Sequence, residues 1–449
     1  MSAILTSADT QLRCKSMIRH LWFLCILLTA PSLMADEKEL RIPRPGATWT
    51  AAPPLTAAPT PTFEAADLEA MRDPRLIQIG DLWHCYYTLR TEKEGAVYCR
   101  TSANLKAWSA PKMVAAESKA AAFGVALVVQ PEPGQFYLFR GQSIAKKAVA
   151  RVYFSQDPMN FGTDKNADAL HAVCNLPMAL RDVYQSDGKW FIKAQRNGGL
   201  QVAALDWQPL VGRVARPDKK DVIRVALFDD YGSFGKGVPR VKELLSSVGG
   251  VELTLFKPDF LSRNGLRDYD VVIFTGGSGS KQANTIGLAG REAVRRFVHG
   301  GGGYIGICAG NYLACDGFSW GVKVLDAKTK SSKWMRGQGD VQVEFTELGR
   351  QILGMPAGLL PVRYANGPVF QPADQDEIGD FQPLAIFRTE LAENGSPVGI
   401  MTGSAAMVAG SYGKGRVLCS SPHPEQTQGM EQFIERAVRW AGSSDAAGQ

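Results

Sequence analysis

Gly301-Gly-Gly-Tyr-Ile-Gly-Ile-Cys-Ala-Gly-Asn-Tyr-Leu-Ala314 is the stretch that decides the fold. Upstream, Arg291 to His299 places Ala293, Val294, Phe297 and Val298 at helical spacing, and Gly300 to Gly303 stops that helix. Tyr304-Ile-Gly-Ile307 then reads as a short buried strand, and a new helix opens at Ala309. A strand that turns at once into a helix, with a small residue on either side of Cys308, has the logic of a nucleophile elbow with cysteine in place of serine. The free N–H groups of the following helix favour the thiolate. The Ala309 amide is placed to donate to an oxyanion, and a second donor is expected from Gly276 or Gly277 at the end of a neighbouring strand.

Working outward, Ile223 to Phe228, Val251 to Phe256 and Asp268 to Thr275 read as buried strands, with a helix over Val238 to Val248. Strand–helix alternation predicts a parallel sheet wrapped by helices, with the site at the carboxyl ends of the strands. Asp229, Asp230 and Tyr231, at the end of the first strand, are pocket candidates by that rule. A thiol nucleophile needs a base. Of the five histidines, His20 lies near the start, His84 and His171 lie in a different kind of sequence, and His299 closes a helix. His423 follows a strand over Arg416 to Ser420, and Glu425, two residues on in a Pro-flanked segment, is placed to orient its imidazole.

The Gly306-Ile-Cys-Ala-Gly310 elbow and the His423-Pro-Glu425 end, in that order over about 220 residues, resemble the class I glutamine amidotransferase superfamily. Phe274-Thr-Gly-Gly-Ser278, Gly301 to Ala314 and Tyr364-Ala-Asn-Gly-Pro-Val-Phe370 are similar to the domain at the N-terminus of eukaryotic biotin–protein ligases and in stand-alone bacterial proteins. The resemblance implies a flavodoxin-like α/β fold with Cys308, His423 and Glu425 as a triad, and places Arg363 and Tyr364 near the pocket. It departs at Tyr312, where glutamine amidotransferases usually carry a glutamine in contact with substrate. No ammonia-acceptor domain and nothing like the ligase's own catalytic domain is recognisable. The expectation is therefore a thiol hydrolase of an amide or peptide bond, requiring no metal and no cofactor. The alternative is a ligand- or partner-binding module that uses the same pocket without turnover.

Residues 66–212 read differently, as short strands rich in aromatics, and they repeat. Trp83, Phe136 and Trp190 each follow a turn, at offsets of 53 and 54 residues. Thr101 to Trp108 matches Phe154 to Phe161 at the same offset of 53. A strand-built period near 50 is the mark of propeller blades. Arg72-Asp-Pro74, Trp83 to Tyr87 and Ser102 to Trp108 resemble the five-bladed propellers of glycoside hydrolases such as arabinanases. Asp73 and Asp182 occupy related places, but no acid glutamate accompanies them, so glycan binding is the expectation there rather than hydrolysis.

The chain has 449 residues, 45% hydrophobic and 21% charged, with a net charge of +6. Such a composition is globular, and the length calls for two or more domains. No basic block carries interleaved aromatics, so no nucleic-acid partner is expected. Arg13, Lys15 and Arg19 ahead of the apolar run Leu21 to Ala30, then Pro31 to Ala35, describe a secretory signal peptide over residues 1–35, with Met17 an alternative start. Export to the periplasm or medium, with no stable membrane anchor after cleavage, follows as the expectation. Residues 36–65 read as a Pro/Ala-rich linker, 66–212 as the propeller-like β domain and 220–443 as the amidotransferase-like α/β domain. Six cysteines remain beyond the leader, and Cys85 and Cys99, on neighbouring strands, are in place to pair.

Overall fold

The computed structural model describes residues 39–52, 62–64, 71–89, 96–116, 125–144, 146–214 and 222–443. The expected signal peptide and much of the expected linker lie outside these residues. The described chain is mostly β, with a β-rich N-terminal part and a large mixed sheet in the C-terminal part.

The three sequence repeats are three antiparallel sheets, two of four strands and the third of five. Trp83, Phe136 and Trp190 each stand second in the second strand of their sheet, in Leu82–Leu89, Gln135–Ile144 and Lys189–Arg196. The third sheet takes its outer strand from the beginning of the chain. Arg41–Pro45, within the stretch expected to be an aperiodic linker, pairs antiparallel with Gly199–Pro209. Its prolines, Pro43 and Pro45, are tolerated because the strand sits at an edge and has a partner on one side only. The expected Cys85–Cys99 pairing fails on register. Tyr86 stands opposite Cys99 and Arg100 opposite Cys85, so the two sulfurs lie on opposite faces of the sheet. Both thiols are free and buried, and burial pushes each up to about 12.

In the C-terminal part the expected parallel sheet is correct for five strands and incomplete beyond them. Val251–Phe256, Ile223–Phe228, Val271–Phe274, Gly303–Ile307 and Gly415–Ser420 run parallel in that order. Ala405–Tyr412, Gln382–Phe387, Gln338–Phe345 and Leu359–Ala365 then extend the sheet antiparallel, giving nine strands. The inner parallel strands Val271–Phe274 and Gly303–Ile307 are buried on both faces, as packing between helix layers requires. Val225, Leu227, Ile273, Ile305 and Leu418 face one core with Val241 and Leu245 of Gly237–Ser246 and Phe433, Ile434 and Val438 of Gln432–Gly442. Ala226, Phe228, Phe274, Tyr304 and Cys419 face the other core, against Ala283, Ala289, Val294 and Phe297 of Gly279–His299.

That second core continues into the β-rich part through Leu127, Tyr137, Phe139, Ile192 and Leu205. The junction is built into the long helix Gly279–His299. Gly287 breaks it (φ 69°, ψ −176°), and a Cβ there would lie 2.6 Å from the Ala172 carbonyl oxygen. One turn on, Arg291 donates to the carbonyls of Ala169, Ser319 and Gly321. A single buried guanidinium thus fixes a β-domain helix, Ala167–His171, and an α/β-domain loop to the same scaffold.

Candidate active site

Gly303–Ile307 is central in the nine-stranded sheet, and Cys308 follows it immediately. Cys308 has φ 52° and ψ −97°, a conformation that costs a non-glycine residue about 1–3 kcal/mol. The strain is held by hydrogen bonds on both sides: Cys308 N donates to Ser420 O at 2.9 Å, and Cys308 O accepts from Asn311 N at 3.1 Å. The flanking glycines are steric requirements. A Cβ on Gly306 would lie 2.8 Å from Asn311 Oδ1, and one on Gly310 would lie 2.1 Å from the Phe274 carbonyl oxygen. Strand, elbow and helix approach more closely than side chains allow. The sulfur is nearly buried, and its thiol donates to Ala365 O at 3.3 Å.

His423 leaves the neighbouring strand Gly415–Ser420, so the parallel pairing that aligns Ile307 with Ser420 brings the two strand ends together. Its main chain is pinned by a bond from its N–H to Arg363 O at 2.7 Å, and its carbonyl accepts from Thr427 Oγ1 at 2.8 Å. The ring lies over Gly276, where a Cβ would stand 2.7 Å from Cε1. Nδ1 is 2.8 Å from Glu425 Oε1. An ionised carboxylate only accepts, so Nδ1 donates to it and Nε2 is the nitrogen left for Cys308. Gln426 Nε2, 2.9 Å from the same Glu425 oxygen, supports the carboxylate. Glu425 is buried, and its Oε2 has no partner among the described residues. Burial disfavours a charged imidazole, but hydrogen bonds and charge from Cys308 and Glu425 outweigh it and raise His423 to about 10.

The structure therefore brings Cys308, His423 and Glu425 together. The amides of Ala309 and Gly276 make no backbone hydrogen bond among the described residues and are free to donate. Gly277 lies beside them, in a bridge whose hydrogen bonds come from the Phe234 and Ser278 amides and not from its own. At φ 140° it bridges to Ser233, with no room for a Cβ beside Gly232 O. Tyr312 lines the same cleft, its hydroxyl donating to Asn366 O at 3.1 Å. Asp230 and Tyr231 line it as well, with Asp230 3.8 Å from Lys257 Nζ. Tyr364 does not. Its ring is buried against Phe387 and its hydroxyl donates to Gly367 O at 2.7 Å, because strand alternation turns it inward while Arg363 and Ala365 face the cleft.

The cleft has a volume of about 2160 Å³ and two walls. One is the carboxyl end of the α/β sheet. The other, which sequence pattern does not reveal, belongs to the β-rich part and includes Arg140, Arg151, Tyr153, Asp168 and Asn175. Arg140 and Arg151 stand directly opposite one another in adjacent strands, but nothing local in the sequence signals that pairing. Gln426 was detectable from its place beside Glu425.

Residues 266–332 match the family model for the biotin–protein ligase N-terminal domain, a span that includes the Cys308 elbow and ends before His423. No curated protein matches the chain. Among solved structures, a cytoplasmic protein of Salmonella typhimurium is similar at 14% identity and TM-score 0.32, over 49% of this chain and 99% of its own. A ThuA-like protein of Bacteroides uniformis is similar at 16% identity and TM-score 0.34, over 53% of this chain and 97% of its own. The catalytic domain of a Coprinopsis cinerea α-L-arabinofuranosidase is similar at 10% identity and TM-score 0.23, over 30% of this chain and 55% of its own.

Proposed function

We propose that the chain is a thiol hydrolase of an amide or peptide bond. The observation that carries this reading is the strained Cys308 facing a His423 whose ring is held by Glu425 and whose proton is tightly bound. An imidazolium beside the sulfur favours the thiolate. The thiolate attacks the carbonyl carbon, and the oxyanion is received by the Ala309 and Gly276 amides. His423 gives its proton to the departing amine as the C–N bond breaks, leaving a thioester on Cys308. Neutral His423 then takes a proton from water as it attacks the thioester, and the acid leaves with the thiolate and imidazolium restored. A library of amide and peptide p-nitroanilides, read by chromophore release and by the mass of a Cys308 acyl adduct, tests this. The reading requires an adduct on the wild type and none on Cys308→Ala, and turnover that survives Cys308→Ala ends it.

One observation favours a binding module without turnover: the Cys308 thiol is engaged by Ala365 O. Stoichiometric ligand retention with no adduct would be its signature. We also read the three repeated sheets as propeller-type blades, since Met71–Ile79 and Ala179–Ser186 both contact Ala126–Glu132, and the α/β part as flavodoxin-like. Export is proposed on the basic and apolar pattern of residues 1–35. No helix among the described residues is long and apolar enough to cross a membrane.

A further inference from the structure

The cleft's second wall carries a feature that the proposed chemistry at Cys308 does not use. Across three adjacent strands, Gln135–Ile144, Lys147–Ser155 and Ala172–Leu176, register places Arg140, Arg151 and Asn175 in one row on one face. All three line the cleft. Like charges directly opposite one another in a sheet are destabilising, and here both arginines are mostly buried, Arg140 at 2% exposure and the Arg151 side chain at 16%. Asp168 bonds Arg151 at 3.1 Å and accepts from the Tyr153 hydroxyl at 3.3 Å. Arg151 Nε is nevertheless buried with no partner among the described residues. The lining as a whole has eight Lys or Arg residues against four Asp. A positive, water-restricted concavity attracts anions, and guanidinium forks suit carboxylates in particular.

Resting on the hydrolase reading, we propose that the row Arg140–Arg151–Asn175 is a carboxylate subsite, and that the substrate is an extended acidic peptide spanning from this row to Cys308. Three observations support the extended form. The volume of about 2160 Å³ is roughly twice the upper end of pockets for small ligands. The two walls are fixed to one another, since Arg291 bonds Ala169, next to Asp168, and also the loop that carries Trp320. Asn284 Oδ1 accepts from Ala169 N at 3.0 Å, adding a second tie. A peptide supplies both the scissile amide and the carboxylates in one chain. Exposed Trp334, Tyr231 and Phe234 on the opposite wall offer apolar surface to its side chains.

The test uses the full chain bearing Cys308→Ala, so that binding is read without turnover. Fluorescein-labelled hexaglutamate and hexaglutamine are titrated by anisotropy, with an oligogalacturonate of similar length as competitor. The proposal expects hexaglutamate to bind at least tenfold tighter than hexaglutamine, with the preference shrinking as salt rises. Arg151→Gln combined with Asp168→Asn, which removes the pair together, should abolish that preference, and Asn175→Leu should weaken it several-fold. Arg151→Lys, which keeps the charge and loses the fork, replaces the double variant if that one does not fold, and should lower the preference at least threefold. Equal binding of the two peptides, or an unchanged preference in these variants, overturns the subsite. Arg151-dependent binding of the oligogalacturonate with none of hexaglutamate overturns the peptide assignment. If the acidic peptide binds as expected but wild type forms no Cys308 adduct, the hydrolase reading alone fails.

Discussion

Gly276→Ala separates the geometry of the site from the stability of the fold. Gly276 does not occupy the left-handed region, so alanine fits its backbone. The new Cβ would stand 2.7 Å from His423 Cε1 and 3.7 Å from each ring nitrogen, where ordinary contact begins at 3.4 Å. The ring must retreat by about 0.7 Å. It cannot slide freely, because Glu425 holds Nδ1 at 2.8 Å and Arg363 O holds the His423 amide at 2.7 Å, so it tilts away from the sulfur. A hydrogen bond to a charged group contributes about 1.5–3 kcal/mol, and losing it lowers the thiolate population roughly ten- to hundredfold. The assay is the rate of Cys308 carboxamidomethylation at neutral pH, quantified on the Cys308 peptide by mass spectrometry, with the melting temperature measured on the same sample. The expected result is a rate at least tenfold below wild type with little change in melting temperature. A wild-type rate in a folded Gly276→Ala protein would refute the reasoning that His423 primes this sulfur.

Other expectations follow from the same geometry. Glu425→Gln loses the carboxylate that binds Nδ1 and should bring His423 back towards its ordinary range, cutting any Cys308-dependent turnover about a hundredfold, as read by kcat with the alkylation rate in parallel. His423 is raised from 6.5 to about 10 in the folded protein. A raised group stabilises fully below its unfolded value and loses that contribution as pH rises through the folded one. The melting temperature of wild type should therefore exceed that of His423→Gln most below about pH 6.5, with the difference gone near pH 10. A gap that widens with pH contradicts the assignment. Gly310→Ala puts a Cβ 2.1 Å from Phe274 O and should destabilise the whole α/β part by about 3 kcal/mol or more, seen as a lowered melting temperature in calorimetry.

The elements that place Cys308 were legible because their signals are local. A buried strand stopped by glycines, and two glycines bracketing a cysteine, record contacts within a few residues, and the structure gives each a steric cause. His423 and Glu425 were legible as a short motif after a strand, although their meeting with Cys308 depends on the parallel pairing of Gly303–Ile307 with Gly415–Ser420. Much of what escaped was long-range. Arg41–Pro45 resembles a linker because two of its five residues are proline, and only its partner, some 160 residues later in the chain, makes it a strand. The antiparallel half of the large sheet also escaped, although its strands are near neighbours in sequence, Gln338–Phe345 pairing with Leu359–Ala365 and Ala405–Tyr412 with Gly415–Ser420. Arg140 and Arg151 carry no local signal, since only strand register sets them side by side. Tyr364 misled because it adjoins two cleft residues, while strand alternation sends its side chain to the core.

The central claim, that Cys308 is a primed nucleophile served by His423, is tested most directly by the pH profile of Cys308 alkylation with iodoacetamide in wild type and His423→Ala. All six cysteines among the described residues are buried, so labelling is quantified on the Cys308 peptide itself. The account predicts that at neutral pH the wild-type sulfur is alkylated at least tenfold faster than the same sulfur in His423→Ala, because a neighbouring imidazolium favours the thiolate. Identical profiles in the two proteins, or no reaction in either, would contradict it.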